Sequence, residues 1–344
     1  MKLKTIGWDV GGANLKAVLL DENNKVLAAI QLACPLWQGL DQLEDAINQV
    51  LQSFAQPEAR HVATMTGELV DIFANRSDGV IQISTCLREQ LGPNLILYAG
   101  SSGFVGIDDV ERYIPQIASA NWYLSARYAA NVFSDGLMID IGSTTTDLIP
   151  FRASKPINQG TTDAERMRLS ELVYTGVTRT PLMALTQSIA FRGQKYGVAA
   201  EYFATTADIY RLTDELAASN DMAATADGAE KSAEASMRRL ARMIGHDQED
   251  AADTDWIELA HTFRECQLEQ LEKAINKVLS HAQITAIAPF VGAGSGSFLV
   301  KALAQRFNRP YMQIDSVIDA EKEEAKHWAG ICLPAYCAAY LMPK

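Results

Sequence analysis

GLMIDIGSTTTDLIPF, residues 136–151, is an apolar run closed by an aspartate, then a short glycine and hydroxyl turn, then a second apolar run. It reads as strand, turn, strand, with Asp140 ending the first strand and Gly142, Ser143, Thr144 and Thr145 in the turn. The same order of residues occurs about 130 positions earlier, in IGWDVGGANLKAVLLD at residues 6–21. There Asp9 ends a strand, Gly11 and Gly12 turn the chain, and Asn14 and Lys16 alternate onto one face of the outgoing strand. A third glycine turn, VGAGSG at residues 291–296, follows an apolar stretch and opens a helical one, an arrangement that aims backbone N–H groups at an anion.

Around these turns, residues 3–32 alternate as an antiparallel meander rather than as the start of a βαβ unit. GLDQLEDAINQVLQSF has helical spacing, and EARHVATMTGEL returns to a short strand and polar turn, so a mixed sheet is expected. NLILYAGSSGF is expected to open a second cycle, leading through a helix, NWYLSARYAANVF, to residue 136. Residues 205–280 are rich in Ala, Glu and Arg and read as helices with an exposed turn near Gly245, with RRLARM (238–243) as a solvated helix face.

The chain of 344 residues is 48% hydrophobic and 21% charged, the profile of a soluble globular protein with no apolar run long enough for a membrane span. Its net charge of −12, with no basic block, argues against nucleic acid. No secretory pattern opens the sequence, so a cytoplasmic location is expected. Five scattered cysteines read as free thiols, and neither Cys332 with Cys337 nor the five histidines have the spacing of a metal site.

DVGGANLK, DIGSTTTD and VGAGSG occur in the order and rough spacing of the phosphate-1, phosphate-2 and adenosine loops of the actin-like ATPase fold. That resemblance implies an α/β, ribonuclease H-like architecture of two lobes, each a mixed sheet flanked by helices. Residues 1–132 form the first lobe, joined by a C-terminal helix at 321–344, and residues 133–320 form the second, with the helical insertion and the adenosine-like loop. DIGSTTTDLIPF is similar to the corresponding loop of the hydantoinase A and oxoprolinase group, with Ser143 where a second glycine is usual. The compact length, with TMTGELVDIF and VYTGVTRTPLMAL, resembles a short family linked to the tetrahydromethanopterin one-carbon pathway. Its members include a methanofuran-biosynthesis synthase that joins a furanylmethyl diphosphate to the phenol of γ-glutamyltyramine and releases pyrophosphate.

The resemblance implies small-molecule diphosphate and phenolic-amine substrates, and the sequence also admits a homodimer. A diphosphate needs several N–H donors at close range, which Gly11, Gly12 and Gly142 suit because glycine takes φ > 0 and lets the backbone approach. Gly292, Gly294, Ser295 and Gly296 form the third phosphate-contacting loop. Asp9 and Asp140 are positioned to hold Mg²⁺. Asp147 is either a further metal-shell carboxylate or the polar end of the next strand. Lys16 is either the phosphate-binding cation, the preferred reading, or a solvated lysine at the edge of a hairpin, and Arg179 is either an anion clamp or a surface ion-pair partner. Glu68 is either the base toward a phenol or part of a first helical turn capped by Thr66, with Asp71. The alternatives are ATP chemistry, as a kinase or ATP-driven amidohydrolase, and a non-catalytic nucleotide sensor or assembly protein.

Overall fold

The computed structural model describes residues 3–343. In chain order its elements begin with β1 (Thr5–Val10), β2 (Asn14–Leu20), β3 (Val26–Ala33), α1 (Asp41–Phe54), β4 (Arg60–Met65), α2 (Arg76–Leu91), β5 (Ile96–Tyr98), β6 (Phe104–Gly106), α3 (Val110–Ile117) and α4 (Asn121–Phe133). They continue with β7 (Gly136–Ile141), β8 (Thr146–Arg152), β9 (Lys155–Pro156), α5 (Asp163–Leu169), β10 (Leu172–Val173), β11 (Ser188–Phe191), β12 (Gln194–Gly197), α6 (Thr206–Leu212), α7 (Ala233–Met243) and α8 (Asp253–Ala282). The chain ends with β13 (Phe290–Ala293), α9 (Ser297–Arg306), β14 (Tyr311–Gln313), α10 (Glu323–Ile331) and α11 (Leu333–Leu341). Contacts divide it into two units: one runs to Asp135, takes back Phe151–Pro156 and resumes at Gln313, and the other is Gly136–Pro150 with Ile157–Met312.

The first unit is built on a sheet of order β3-β2-β1-β4-β5-β6. β1, β2 and β3 form the antiparallel meander, while β4 runs parallel to β1, which makes the sheet mixed. β1 is buried throughout, as a central strand covered on both faces must be. Ile6, Trp8 and Val10 enter a core with Leu43, Ile47 and Val50 of α1 and Val80, Ile83 and Leu87 of α2. The other face carries Gly7 and Asp9, and α11 lies directly on it. A Cβ on Gly7 would collide with the Ala335 carbonyl, so the helix can come this close only over a glycine.

In the second unit the sheet order is β10-β8-β7-β13-β14, with β13 parallel to β7. Leu137, Ile139 and Ile141 of β7 join a core with α6, α7, α8 and α9. The 30-residue α8 spans that core and buries Trp256, Leu259, Phe263, Leu268, Leu271 and Ile275.

Four local expectations change. NLILYAGSSGF does not open a second cycle, because β5 and β6 extend the first sheet beyond β4. The C-terminal segment is two helices rather than one, broken at Cys332; Pro334 falls in the first turn of α11, where a missing N–H costs nothing. The lobe limits also shift: the hairpin at Phe151 and Pro156 and the chain from Gln313 pack with the first unit. Finally, α6, α7 and α8 leave residues 213–232 without an α-helix. Asp221 and Asp227 there bind Arg211 at 2.6 Å and Arg239 at 3.1 Å. Arg239 is fully buried and also pairs with buried Asp208 at 2.8 Å, so of the three arginines of RRLARM only Arg238 and Arg242 face solvent.

Candidate active site

Both loops are held by short hydrogen bonds that follow from their sequences. The Gly11 N–H donates to the Asn14 carbonyl at 3.0 Å, and the Gly142 N–H donates to the Thr145 carbonyl at 2.9 Å. These two N–H groups close the turns and are therefore already engaged within their own loops. Nor do Gly11, Gly12 and Gly142 adopt positive φ, as the reading of glycine's freedom had it; in the three turns only Gly294 does, at +77°. Close approach explains two of them instead. A Cβ at Gly11 would stand 3.0 Å from the Asn14 carbonyl oxygen, and one at Gly12 2.9 Å from Val70 Cγ1. For Gly142 the nearest atom would be the Thr145 carbonyl oxygen, at an ordinary 3.6 Å, so nothing in the fold demands glycine there.

In the first unit, strand register sets Asp9 in a polar row. Lys16 on β2 is its lateral partner on one side and Thr64 on β4 on the other, with Gln31 of β3 beyond Lys16. Side chains that are lateral partners share a face of the sheet. The Asn121 amide at the start of α4 donates to Asp9 Oδ1 at 3.2 Å. Thr64 and, one turn along α4 from Asn121, Ser125 are fully buried, and their hydroxyls have no hydrogen-bond partner among the described residues. Burial pushes the Cys332 thiol up to about 12, Lys16 pulling it down and Asp9 pushing it up, so this thiol stays protonated. Asn14 and Lys16 flank buried Leu15, as the alternation requires. Glu68 is buried in a short 3₁₀ turn, Gly67–Leu69, and accepts from the Ser119 hydroxyl at 2.6 Å. Thr66 makes no side-chain cap; Asn75 caps the next helix, accepting from the Asp78 N–H at 3.0 Å, and Asp71 is exposed.

In the second unit a neighbouring segment pulls the carbonyls of the loop backwards. The Val177 N–H binds the Gly142 oxygen at 3.0 Å, and the Arg179 and Thr178 N–H groups bind the Ser143 oxygen at 2.9 and 3.2 Å. An anion cradle needs this polarity, with carbonyl dipoles drawn away from the negative ligand. The supporting segment is itself fixed from the core. Gln267 of α8, fully buried, donates to Thr175 Oγ1 and the Gly176 carbonyl, both at 2.9 Å, and accepts from the Tyr210 hydroxyl. Thr146 Oγ1 donates to the Thr175 carbonyl at 2.6 Å. Ser143, Thr144 and Thr145 are half-buried on this support, the Ser143 and Thr144 hydroxyls lie 3.4 Å apart, and Arg179 is half-buried beside them.

The third turn packs on the second. The Gly296 N–H donates to the Ile141 carbonyl at 2.9 Å, and a Cβ at Gly296 would meet Ile141 Cγ2 at 2.5 Å. At Gly292 it would strike the Tyr311 ring at 2.8 Å, and at Gly294 it would collide with Asp140 Oδ1. Fold packing thus accounts for these three buried glycines without a phosphate, while Ser295 is half-buried. Asp147, read as either a metal-shell carboxylate or the polar end of the next strand, lies at the start of β8 and makes an ion pair: its Oδ1 lies 2.6 Å from the guanidinium of buried Arg166.

No group of three or more His, Cys, Asp or Glu among the described residues is placed to hold a metal. Mg²⁺ does not need one, since it keeps waters and takes one or two carboxylates together with phosphate oxygens. The orphaned hydroxyls of Thr64 and Ser125 on the Asp9 side are acceptors and donors of the kind that a hydrated ion satisfies, so the residues fit that group. Among the described residues, no helix is long and apolar enough to cross a membrane.

Sequence reasoning missed Thr64, Asn121, Gly176 and Gln267. Of these only Gly176 left a local trace, as the glycine within the VYTGVTRTPL stretch.

Comparison with known proteins places these features in context. A hydantoinase/oxoprolinase family model matches residues 60–318. The chain is 27% identical over 345 residues to the (4-{4-[2-(γ-L-glutamylamino)ethyl]phenoxymethyl}furan-2-yl)methanamine synthase of Methanocaldococcus jannaschii, covering 100% of this chain and 99% of that one. The synthase of the same name from Methanococcus vannielii is 30% identical over 148 residues, 43% of this chain and 66% of its own. Among solved structures, nucleotide-free acetone carboxylase matches with a TM-score of 0.62 at 11% identity, over 98% of this chain and 70% of that one. The architecture is the α/β actin-like ATPase fold.

Proposed function

The chain belongs to the hydantoinase/oxoprolinase family, and from that premise we propose that it is a transferase of methanofuran-type coenzyme biosynthesis. It condenses a furanylmethyl diphosphate with the phenol of γ-glutamyltyramine and releases pyrophosphate. The observation that carries this reading is the end-to-end relationship to the methanogen synthase, whose product name specifies a phenoxymethyl-furan ether. The tied-back carbonyls of the second loop support it, because they leave a cradle of the polarity a diphosphate needs.

In the reaction the phenol oxygen bonds to the furanylmethyl carbon as the bond from that carbon to the diphosphate oxygen breaks. The electron pair leaves with pyrophosphate, and the phenolic proton passes to a base. A conjugated furan supports positive charge at the CH₂, so bond breaking runs ahead and stabilising the leaving group dominates the barrier. The groups able to bind phosphate oxygens as their charge grows are, in the first unit, the N–H groups after Gly11 and the Lys16 cation, and, in the second, the N–H groups after Gly142, the hydroxyls of Ser143, Thr144 and Thr145, and the Arg179 cation. Asp9 in the first unit and Asp140 in the second are each a carboxylate that would hold Mg²⁺, and the ion, when bound, would neutralise phosphate oxygens that a carboxylate otherwise repels. Asn121 holds Asp9, and the glycine at 294 leaves Asp140 room beside β13. Glu68, anchored by Ser119, takes the phenolic proton, which an unperturbed phenol with a pKa near 10 releases sparingly.

A second reading, an ATP-dependent kinase or ATP-driven amidohydrolase, draws on the third turn, where β13 leads into α9 beside β7. The two are separated by incubating the protein with the furan diphosphate, γ-glutamyltyramine and Mg²⁺ and following pyrophosphate and the ether product by mass. Product formation without ATP upholds the transferase; ATP turnover that ignores the furan substrate overturns it. Asp9→Ala and Asp140→Ala each abolish Mg²⁺-dependent turnover in a folded protein, and full activity in either removes that aspartate from the mechanism.

A further inference from the structure

Large apolar side chains left in solvent carry information when they cluster on segments that serve a site. Two loops of the first unit flank the phosphate-1 turn. One runs through a 3₁₀ turn, Leu36–Gln38, and the Leu36 N–H donates to the Gly12 carbonyl at 3.1 Å. The other follows β4: a Cβ on Gly67 would lie 2.8 Å from Leu36 Cδ2 and 3.2 Å from the Gly11 carbonyl oxygen, and Val70 packs over Gly12. The three segments therefore converge.

Along both loops the chain turns one apolar residue inward and the next outward. Leu36 and Phe73 are buried in the core, whereas Trp37 is 42%, Leu69 47% and Ile72 40% exposed. All three lie on the segments that flank the phosphate-1 turn, where covering their exposed surface would contribute roughly 25 cal/mol per Å². A diphosphate at Gly12 and Lys16 would therefore have these two loops beside it. We propose that Trp37, Leu69 and Ile72 form the subsite for the aromatic carbon skeleton of the diphosphate ester, with the indole stacking on a flat, electron-rich ring. The proposal rests on the transferase reading for the identity of that ring, but not for its existence. It assigns selectivity for the ester's organic group to the first unit and diphosphate affinity to the glycine loops. It also sets that group next to the turn that carries Glu68.

The test measures binding of two probes by calorimetry, with Mg²⁺ and without any phenol acceptor: the furfuryl ester of methylenebisphosphonate and its methyl ester, with pyrophosphate as reference. Wild-type protein binds the furfuryl ester at least tenfold more tightly than the methyl ester. Trp37→Ala and Leu69→Ser erase that preference and leave pyrophosphate affinity within twofold, whereas Trp37→Phe keeps most of it. Each side chain is exposed, so the variants fold, which melting curves check. Equal affinity for the two esters in the wild type, or a preference that survives both truncations, overturns the subsite. So does a dimer, seen by sedimentation, that Trp37→Ala and Leu69→Ser convert to monomer with no change in preference. A preference lost as expected, in a protein that nevertheless makes no ether product, keeps the subsite and retires the methanofuran chemistry.

Discussion

Replacing Gly176 by alanine tests whether the segment behind the second loop positions it. The new Cβ would lie 2.5 Å from the Ser143 carbonyl carbon and the Thr144 nitrogen, and 2.6 Å from the Gly142 oxygen. That is about 0.9 Å inside the 3.4 Å at which ordinary contact begins. The segment cannot retreat easily, because Gln267 holds the Gly176 carbonyl and the Thr175 hydroxyl at 2.9 Å from α8. The phosphate-2 loop must therefore move by nearly the whole overlap. Overpacking of this kind costs roughly 1–3 kcal/mol of stability, a loss of several degrees in Tm. A displacement of ~1 Å in a positioning element costs about 100-fold in rate, or ~2.7 kcal/mol of barrier. The assay pairs calorimetric affinity for Mg²⁺-pyrophosphate with pyrophosphate release and melting curves. Gly197→Ala is the control, since a Cβ there meets nothing within 4 Å and its φ is not positive. A Gly176→Ala protein that binds pyrophosphate and turns over within twofold of wild type would refute the argument that this segment sets the loop.

Gly142→Ala gives the converse pattern: Tm stays within about a degree, because the nearest atom to the new Cβ is at 3.6 Å, while pyrophosphate affinity falls at least tenfold; unchanged affinity takes Gly142 out of the cradle. Asp147→Asn removes the charge facing buried Arg166 and lowers stability by about 3 kcal/mol, with Mg²⁺ affinity unaltered; weakened Mg²⁺ binding at full stability would restore Asp147 to the metal shell. Burial pushes His61 down to about 4 from its ordinary 6.5, where it accepts the Trp8 indole N–H at 3.2 Å. Between those values the unfolded chain binds more protons, so this contribution is complete above pH 6.5 and is lost as the pH falls toward 4, by at most about 3 kcal/mol. Chemical denaturation from pH 4 to 7 measures the slope, and an unchanged slope in His61→Gln contradicts the assignment.

The loops were legible because their chemistry is local. An aspartate at a strand end, a turn within four residues and an alternating exit strand are all features of neighbouring positions, and the meander, α1 and the β13 to α9 turn follow from periodicity in the same way. What each glycine does was not legible. Gly292 and Gly296 look like members of a phosphate loop, yet their space is set by Tyr311 and Ile141, which no spacing rule connects to them. The charge pattern of RRLARM reads as a solvated face until Asp208, 31 positions before Arg239, is brought beneath it.

By itself the sequence determined the two strand-end aspartates, the three turns between apolar runs, and through them the fold, since backbone conformation and strand burial respond to residues close in the chain. Only the tertiary structure decided how the site is supported: Thr64 and Asn121 beside Asp9, Arg166 on Asp147, and Gln267 acting 91 residues away on the Gly176 carbonyl. The reason is physical. A buried amide or hydroxyl must find a partner wherever packing delivers one, and the path that brings α8 under the second loop runs through the whole hydrophobic core rather than through any local pattern.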